Sequence, residues 1–156
     1  MDDRLIHGQV VVGWGHPLDV GLIVLVDDAI AASGWEQELY RVALPPEIEV
    51  RFASVEQAAL AWAAWNADPR PAILLTASID AMVRLAARVP VIRAVNLGGV
   101  HKDAGRTERL RYLYLTPAEE RALGALAARG VEVTARDIPT ARPVPLADLL
   151  PSGTPS

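Results

Sequence analysis

The segment DDRLIHGQV (2–10) gathers groups able to do chemistry within nine residues. His7 offers an imidazole, which near neutral pH is a nucleophile that holds its proton lightly. Gly8 follows it and lets a ligand approach the backbone. Arg4 carries a planar, permanently charged fork that suits phosphate oxygens. Asp2 or Asp3 could hold one ring nitrogen of His7 and fix its tautomer. A helix starting at Gly8–Gln9 would add the free N–H groups of its first turn, which attract anions. Together these parts would make a phosphorylatable histidine. A lone histidine is also compatible with a surface or capping residue, and spacing alone leaves both readings open.

Two further loops follow apolar runs and hold polar residues. DDAIAASG (27–34) brings Asp27 and Asp28, which could bind hydroxyl groups, shape the His7 loop, or cap the next helix. NLGGVHKDAGR (96–106) brings Gly98 and Gly99, which suit a tight turn or close backbone approach. His101, Lys102 and Arg106 in the same loop offer phosphate or partner contacts, or an ordinary solvated surface.

These loops need a frame. The β-rich runs are VGLIVLV (20–26), IEVRFA (48–53), AILLTA (72–77), VIRAVNL (91–97), RYLYLT (111–116) and VEVTAR (131–136). Most are almost wholly apolar, as strands covered on both faces should be. Helical patterns over 54–68, 78–89 and 116–130 lie between them, each opened by a Ser or Thr able to cap it. Alternation of strand and helix predicts an α/β fold, an open and mostly parallel sheet with helices on both faces. Functional loops in such sheets sit at the carboxyl ends of the strands. Trp62 and Trp65 are spaced to pack a helix onto the sheet. Gly13, Gly15 and Pro17 weaken and end any first helix.

Composition excludes several classes. The chain has 156 residues, which suits one domain, and 51% are hydrophobic. Net charge is −4, with Lys102 the only lysine, so nucleic acid is not an expected partner. There is no cysteine, which removes disulfides and thiol chemistry. No apolar run reaches transmembrane length and the start is acidic, so a cytoplasmic protein is expected. The Pro-rich end PSGTPS is expected to be a disordered tail over 151–156, after a domain over 1–150.

DDRLIHGQV resembles the active-site signature of IIB components of the mannose/sorbose family of the bacterial sugar phosphotransferase system. LIVLVDDAIA (22–31), VALPPEIEVRFASVEQAA (42–59), VNLGGVHKDAGR (95–106) and LTPAEERALGALAARGVEVTARDIP (115–139) are similar to further family segments, in order and spacing. The resemblance implies a protein-N(π)-phosphohistidine–sugar phosphotransferase with His7 as phosphoryl acceptor. It implies a phospho-IIA donor, a sugar acceptor, and the membrane permease components IIC and IID, to which the protein would be peripheral. Arg4 would stabilise the transferring group, and Asp2, Asp3, Gly8 and Gln9 would shape the loop. Asp27, Asp28, Gly98, Gly99 and His101 would line the cleft. No cofactor and no metal are implied, since Arg and backbone N–H groups suffice for phosphate oxygens.

Family members usually carry an apolar strand just before the Asp-Asp-Arg motif, and Met1 stands where that strand should end; the expectation is a fold lacking it here, either because the true start lies upstream or because the chain has no such strand. Unpaired edges would then favour self-association into a homo-oligomer. Competing readings are a regulatory phosphohistidine protein without sugar transport and an inactive binding module. A metal-dependent hydrolase using His7, His16, His101 and the Asp pairs is a third, but the spacings match no ligand motif.

Overall fold

The computed structural model describes residues 1–150. The sheet is built on β1 (Leu22–Val26), whose five side chains are all buried. Alternation sends Ile23 and Leu25 to one face, against Val10, Val11 and Leu44. Leu22, Val24 and Val26 face the other side, against Val55, Ala81 and Leu85. Burial on both faces explains why this run is apolar without interruption. β2 (Glu49–Ala53) and β3 (Ala72–Thr76) flank β1, both parallel to it. A second sheet pairs β4 (Ala94–Leu97) in parallel with β7 (Glu132–Ala135), and β7 with the short antiparallel β8 (Val144–Pro145). The α/β class with parallel strands is as the sequence predicts.

Helices cover both sheets. A wide, π-type helix over Gln9–Gly15 lies on the β1 face that carries Ile23. Next come α1 (Asp28–Ala31) and α2 (Gly34–Ala43). α3 (Val55–Asn66) and α5 (Pro117–Ala128) both start with a reciprocal cap, Ser54 with Gln57 and Thr116 with Glu119. Ser78 caps α4 (Ile79–Arg88) through the Ala81 N–H. Trp62 and Trp65 pack α3 against the core beneath it. A short α6 (Leu146–Leu149) ends the described chain, and the predicted disordered tail over 151–156 lies outside the described residues. No helix among the described residues is long and apolar enough to cross a membrane.

One predicted strand takes a different form. RYLYLT (111–116) meets the parallel strands only at one bridge, Leu113 beside Val100 just beyond β4. β5 (Thr107–Leu110) and β6 (Leu113–Leu115) make an antiparallel hairpin instead, with Arg111 and Tyr112 in its turn. Leu113 and Leu115 are buried in the core under β4 and β7 while Thr107 and Glu108 stay exposed. The polar partner strand therefore has no apolar run to announce it.

β3 and β4 are not bonded to each other. Residues 1–3 stitch their ends together. The Met1 ammonium donates to the Asn96 carbonyl at 2.8 Å, and the Gly98 N–H to the Met1 carbonyl at 2.8 Å. The Asp2 N–H donates to the Thr76 carbonyl at 3.1 Å and the Asp3 N–H to the Gly99 carbonyl at 3.0 Å.

Burial pushes the Met1 ammonium down to about 6 from an ordinary 8.0, with the Asp2 charge pulling the other way. Between those values the unfolded chain holds more protons than the folded one. Stability therefore rises as pH climbs from about 6 to about 8 and falls on the way back. We expect the amine to contribute a rise of about 2 kcal/mol over that window. It is read as the pH-dependent difference in urea stability between the free chain and one acetylated at Met1. Parallel profiles for the two would show that the amine is not buried.

Candidate functional site

Asp2 is 5% exposed, one of the two polar or charged residues among the described ones that are buried this deeply. Its carboxylate is held by its neighbour. Oδ1 accepts from the Arg4 N–H at 3.0 Å and from Arg4 Nε at 3.2 Å, and Oδ2 accepts from Arg4 Nη2 at 3.1 Å. This two-point pairing fixes the plane of the guanidinium. Arg4 Nη2 also donates to Gln9 Oε1 at 2.8 Å. Gln9 Nε2 in turn donates to the Asp137 carbonyl at 3.0 Å, beside Trp14 Nε1 at 2.8 Å. Arg4 is thus tied to the end of β7, while its Nη1 takes part in no hydrogen bond among the described residues.

The glycine loop after β4 makes room for this pair. A Cβ on Gly99 would sit 3.0 Å from Asp2 Oδ2 and 3.2 Å from Arg4 Nη2. One on Gly98 would sit 3.3 Å from the Met1 carbonyl oxygen. Side chains at these positions would displace the carboxylate that orients Arg4.

His7 stands where the loop enters the first helix. Its Nδ1 lies 2.8 Å from the Leu5 carbonyl oxygen, so Nδ1 carries the proton in this arrangement. Leu5 has φ of 58°, a left-handed conformation that turns its carbonyl toward the ring. Such backbone strain persists only where the surroundings enforce it. Leu5 and Ile6 are anchored in the core below. His7 Nε2 is buried without a partner. The His7 carbonyl accepts from the Val10 and Val11 N–H groups, both at 3.0 Å, which starts the helix directly behind the ring. Gly8 is exposed, with open space where a Cβ would stand and an ordinary φ of −52°. It leaves the approach to His7 clear.

Asp3 does not hold His7. Its Oδ2 accepts from the His101 N–H at 2.7 Å, and its Oδ1 lies 2.5 Å from His101 Nδ1. Arg106 Nη1 is 3.6 Å from the same carboxylate and donates to the His101 carbonyl at 3.1 Å. Arg106 Nη2 reaches Glu119 at 2.9 Å. Burial works to raise the Glu119 carboxyl, but bonds from Arg106 and the Thr116 amide outweigh it and hold it below the usual range. The 96–106 loop is therefore bound to the 2–9 loop through Asp3. Lys102 is exposed and takes no part in this network.

The aspartates after β1 are engaged elsewhere. Asp27 Oδ1 accepts from the Ile30 N–H at 2.9 Å and caps α1. Asp28 bonds the Val55 N–H at 2.9 Å and Arg84 Nη2 at 2.7 Å, which hold its carboxyl below the usual range. No hydrogen bond joins either to the His7 loop among the described residues. His16 is exposed at the end of the first helix. No group of three or more His, Asp or Glu able to hold a metal ion occurs among the described residues.

Sequence reasoning missed the support supplied by β7. Arg136 lies over the Trp14 ring at 5.4 Å, and its carbonyl accepts from Asn96 Nδ2 at 3.0 Å. Nothing in the spacing of Trp14, Asn96 and Arg136 signals this. Only the fold brings them together.

A search against family models matches residues 1–154 to the PTS system sorbose subfamily IIB component. The mannose-specific EIIAB component of Escherichia coli K12 is 29% identical over 151 residues, 96% of this chain and 46% of that protein. The chain thus spans about half the length of the first curated relatives it matches. The N-acetylgalactosamine-specific phosphotransferase enzyme IIB component 2 of the same organism is 30% identical, with 96% and 95% covered. Among solved structures, manxB of Thermoanaerobacter tengcongensis superposes with a TM-score of 0.85 at 29% identity, covering 96% of this chain and 90% of that one.

Two substitutions separate the glycine roles. Gly99→Ala should lower thermal stability by about 1–3 kcal/mol, because the new Cβ displaces a buried carboxylate. Gly8→Ala should change it by less than about 0.5 kcal/mol. Equal effects in calorimetric unfolding would contradict the crowding at Gly99.

Proposed function

The chain belongs to the sorbose subfamily of IIB components of the sugar phosphotransferase system, and from that premise we propose that His7 is its phosphoryl acceptor. In this reading His7 receives the group from the phosphohistidine of a IIA protein and passes it to a sugar delivered by the IIC and IID permease components. The observation that carries the reading is Arg4. Three residues before His7, it is held flat by the buried Asp2 carboxylate and by Gln9.

Phosphoryl transfer asks a protein mainly for positioning and for charge at the equatorial oxygens. Arg4 supplies that charge as a preorganised fork, so little reorganisation is needed at the moment of transfer. The donor's N–P bond breaks as a His7 N–P bond forms, in line. In the second step a sugar hydroxyl oxygen attacks phosphorus, the His7 N–P bond breaks, and the ring leaves as neutral imidazole once the hydroxyl proton is released.

The acceptor nitrogen in this reading is Nδ1. Its proton now points at the Leu5 carbonyl. The ring must turn away from that carbonyl and carry its proton on Nε2 before Nδ1 can attack. The strained Leu5 backbone sets the resting position of the ring. Asp3 and His101 brace the loop from the other side, and Gly8 leaves the incoming donor unobstructed.

Incubation with a phosphorylated IIA protein, followed by intact-mass measurement, tests the reading. One acid-labile phosphate is expected on the wild-type chain and none on His7→Ala. Arg4→Ala should slow uptake on the order of 10²-fold, as for loss of a charge-stabilising donor. Full uptake by His7→Ala, or an unchanged rate for Arg4→Ala, would refute the corresponding assignment.

A further inference from the structure

Transfer from His7 to a hydroxyl leaves one proton to be placed. His7 departs as neutral imidazole with its own proton on Nε2, so the hydroxyl proton must go elsewhere. Charging of His7 has no such need, because one imidazole replaces another on phosphorus and no proton leaves. A general base is therefore required in the second step alone.

Most acidic and basic groups around the two loops are already engaged. The Asp2 carboxylate is held by Arg4. Asp27 and Asp28 are bonded at helix starts. Glu119 accepts from Arg106 and from the Thr116 N–H. His101 differs from all of these. Its Nδ1 lies 2.5 Å from Asp3 Oδ1, which places the proton of the neutral ring on Nδ1 and the lone pair on Nε2. Nε2 takes part in no hydrogen bond among the described residues, and the side chain is 58% exposed. A carboxylate on one ring nitrogen and a free lone pair on the other is the arrangement of a general base. The carboxylate orients the ring and balances the charge of the imidazolium that forms.

This pair stands beside Arg4. Asp3 precedes Arg4 in the chain, and the Asp3 N–H donates to the Gly99 carbonyl at 3.0 Å. A Cβ on Gly99, two residues before His101, would lie 3.2 Å from Arg4 Nη2. The His101 N–H is itself bonded to Asp3 Oδ2 at 2.7 Å, and Arg106 fastens the His101 carbonyl at 3.1 Å. Arg4 and His101 are thus fixed along one seam, where the loops leave the carboxyl ends of the strands.

We propose that His101 is the general base of the second transfer step, with Asp3 as the residue that orients it. The inference rests on the reading that His7 carries the phosphoryl group. The hydroxyl oxygen bonds to phosphorus as the His7 N–P bond breaks, and the electron pair of that bond returns to Nδ1. The hydroxyl proton passes to His101 Nε2. The imidazolium, paired with Asp3, then gives the proton to water, which the exposed ring reaches directly. The acceptor is a hydroxyl that stands between Arg4 and His101.

The two half-reactions test this separately. The chain is charged by a phosphorylated IIA protein and purified. Its discharge is then followed by intact mass, with membrane vesicles carrying IIC and IID components and a panel of hexoses. His101→Ala removes both the base and its hold on Asp3. His101→Asn keeps a donor for the Asp3 carboxylate but has no basic nitrogen. Both variants should slow discharge, relative to charging, on the order of 10²-fold, as for loss of a general base. Discharge restored to the wild-type rate by Asn would reduce His101 to a brace for the loop and overturn the proposal. Equal slowing of charging and discharge, or wild-type discharge in both variants, would overturn it too. A wild-type chain that takes no phosphate from the IIA protein, or that no hexose discharges, would refute the phosphocarrier reading itself and the proposal with it.

Discussion

A single buried carboxylate governs this molecule. Asp2 sits at the meeting point of two sheets that are not otherwise bonded to each other, and it is almost out of reach of water. A charge in that position costs several kcal/mol unless it is paired and hydrogen-bonded. Arg4 satisfies it through three bonds from one residue. The glycines after β4 then follow, because no side chain fits between the carboxylate and the strand end. The chain turn from Asp2 to Leu5 also follows, with the Leu5 N–H donating to the Asp2 carbonyl at 3.1 Å.

From that pairing the rest of the site takes its geometry. The guanidinium fixed by Asp2 is extended through Gln9 to Asp137, so the end of β7 is tied to the loop that precedes the first helix. Trp14 reaches the same Asp137 carbonyl, and Arg136 lies over its ring. His7 is set by a different device, the left-handed Leu5 that presents a carbonyl to its Nδ1. One device fixes a charge and the other parks a ring. The proposed phosphoryl transfer would use the first as a rigid support and the second as a ring that turns.

Much of this is legible in the sequence, for reasons that differ by element. LIVLV in β1 announces itself because both its faces are buried, and Ser54, Ser78 and Thr116 announce their helices because caps are local chemistry. The residues of the 2–9 loop are recognisable by type and by the resemblance they carry. What cannot be read is tertiary. α2 carries Trp35, Leu39 and Val42 at helical spacing but leaves them exposed, and it meets the core through Tyr40, so its apolar stripe does not mark its buried side. The partner of β6 is the polar run Thr107–Leu110, which has no strand-like alternation. Asp3 is a candidate by spacing to hold His7 and instead holds His101, a pairing across 98 positions that no spacing rule foresees. Asp27 and Asp28 are open, by sequence, between a cleft and a cap, and their carboxylates are bonded at helix starts.

The central claim is that Asp2 acts on phosphoryl transfer through Arg4, and Asp2→Asn tests it most directly. The amide keeps the shape of the side chain and removes the charge that grips the guanidinium. The rate of His7 phosphorylation by a phospho-IIA protein should fall on the order of 10²-fold in a chain whose circular dichroism is unchanged, as expected when a positioned group loses its support. An unchanged rate in that folded variant would mean that Arg4 does its work without Asp2, which contradicts the claim.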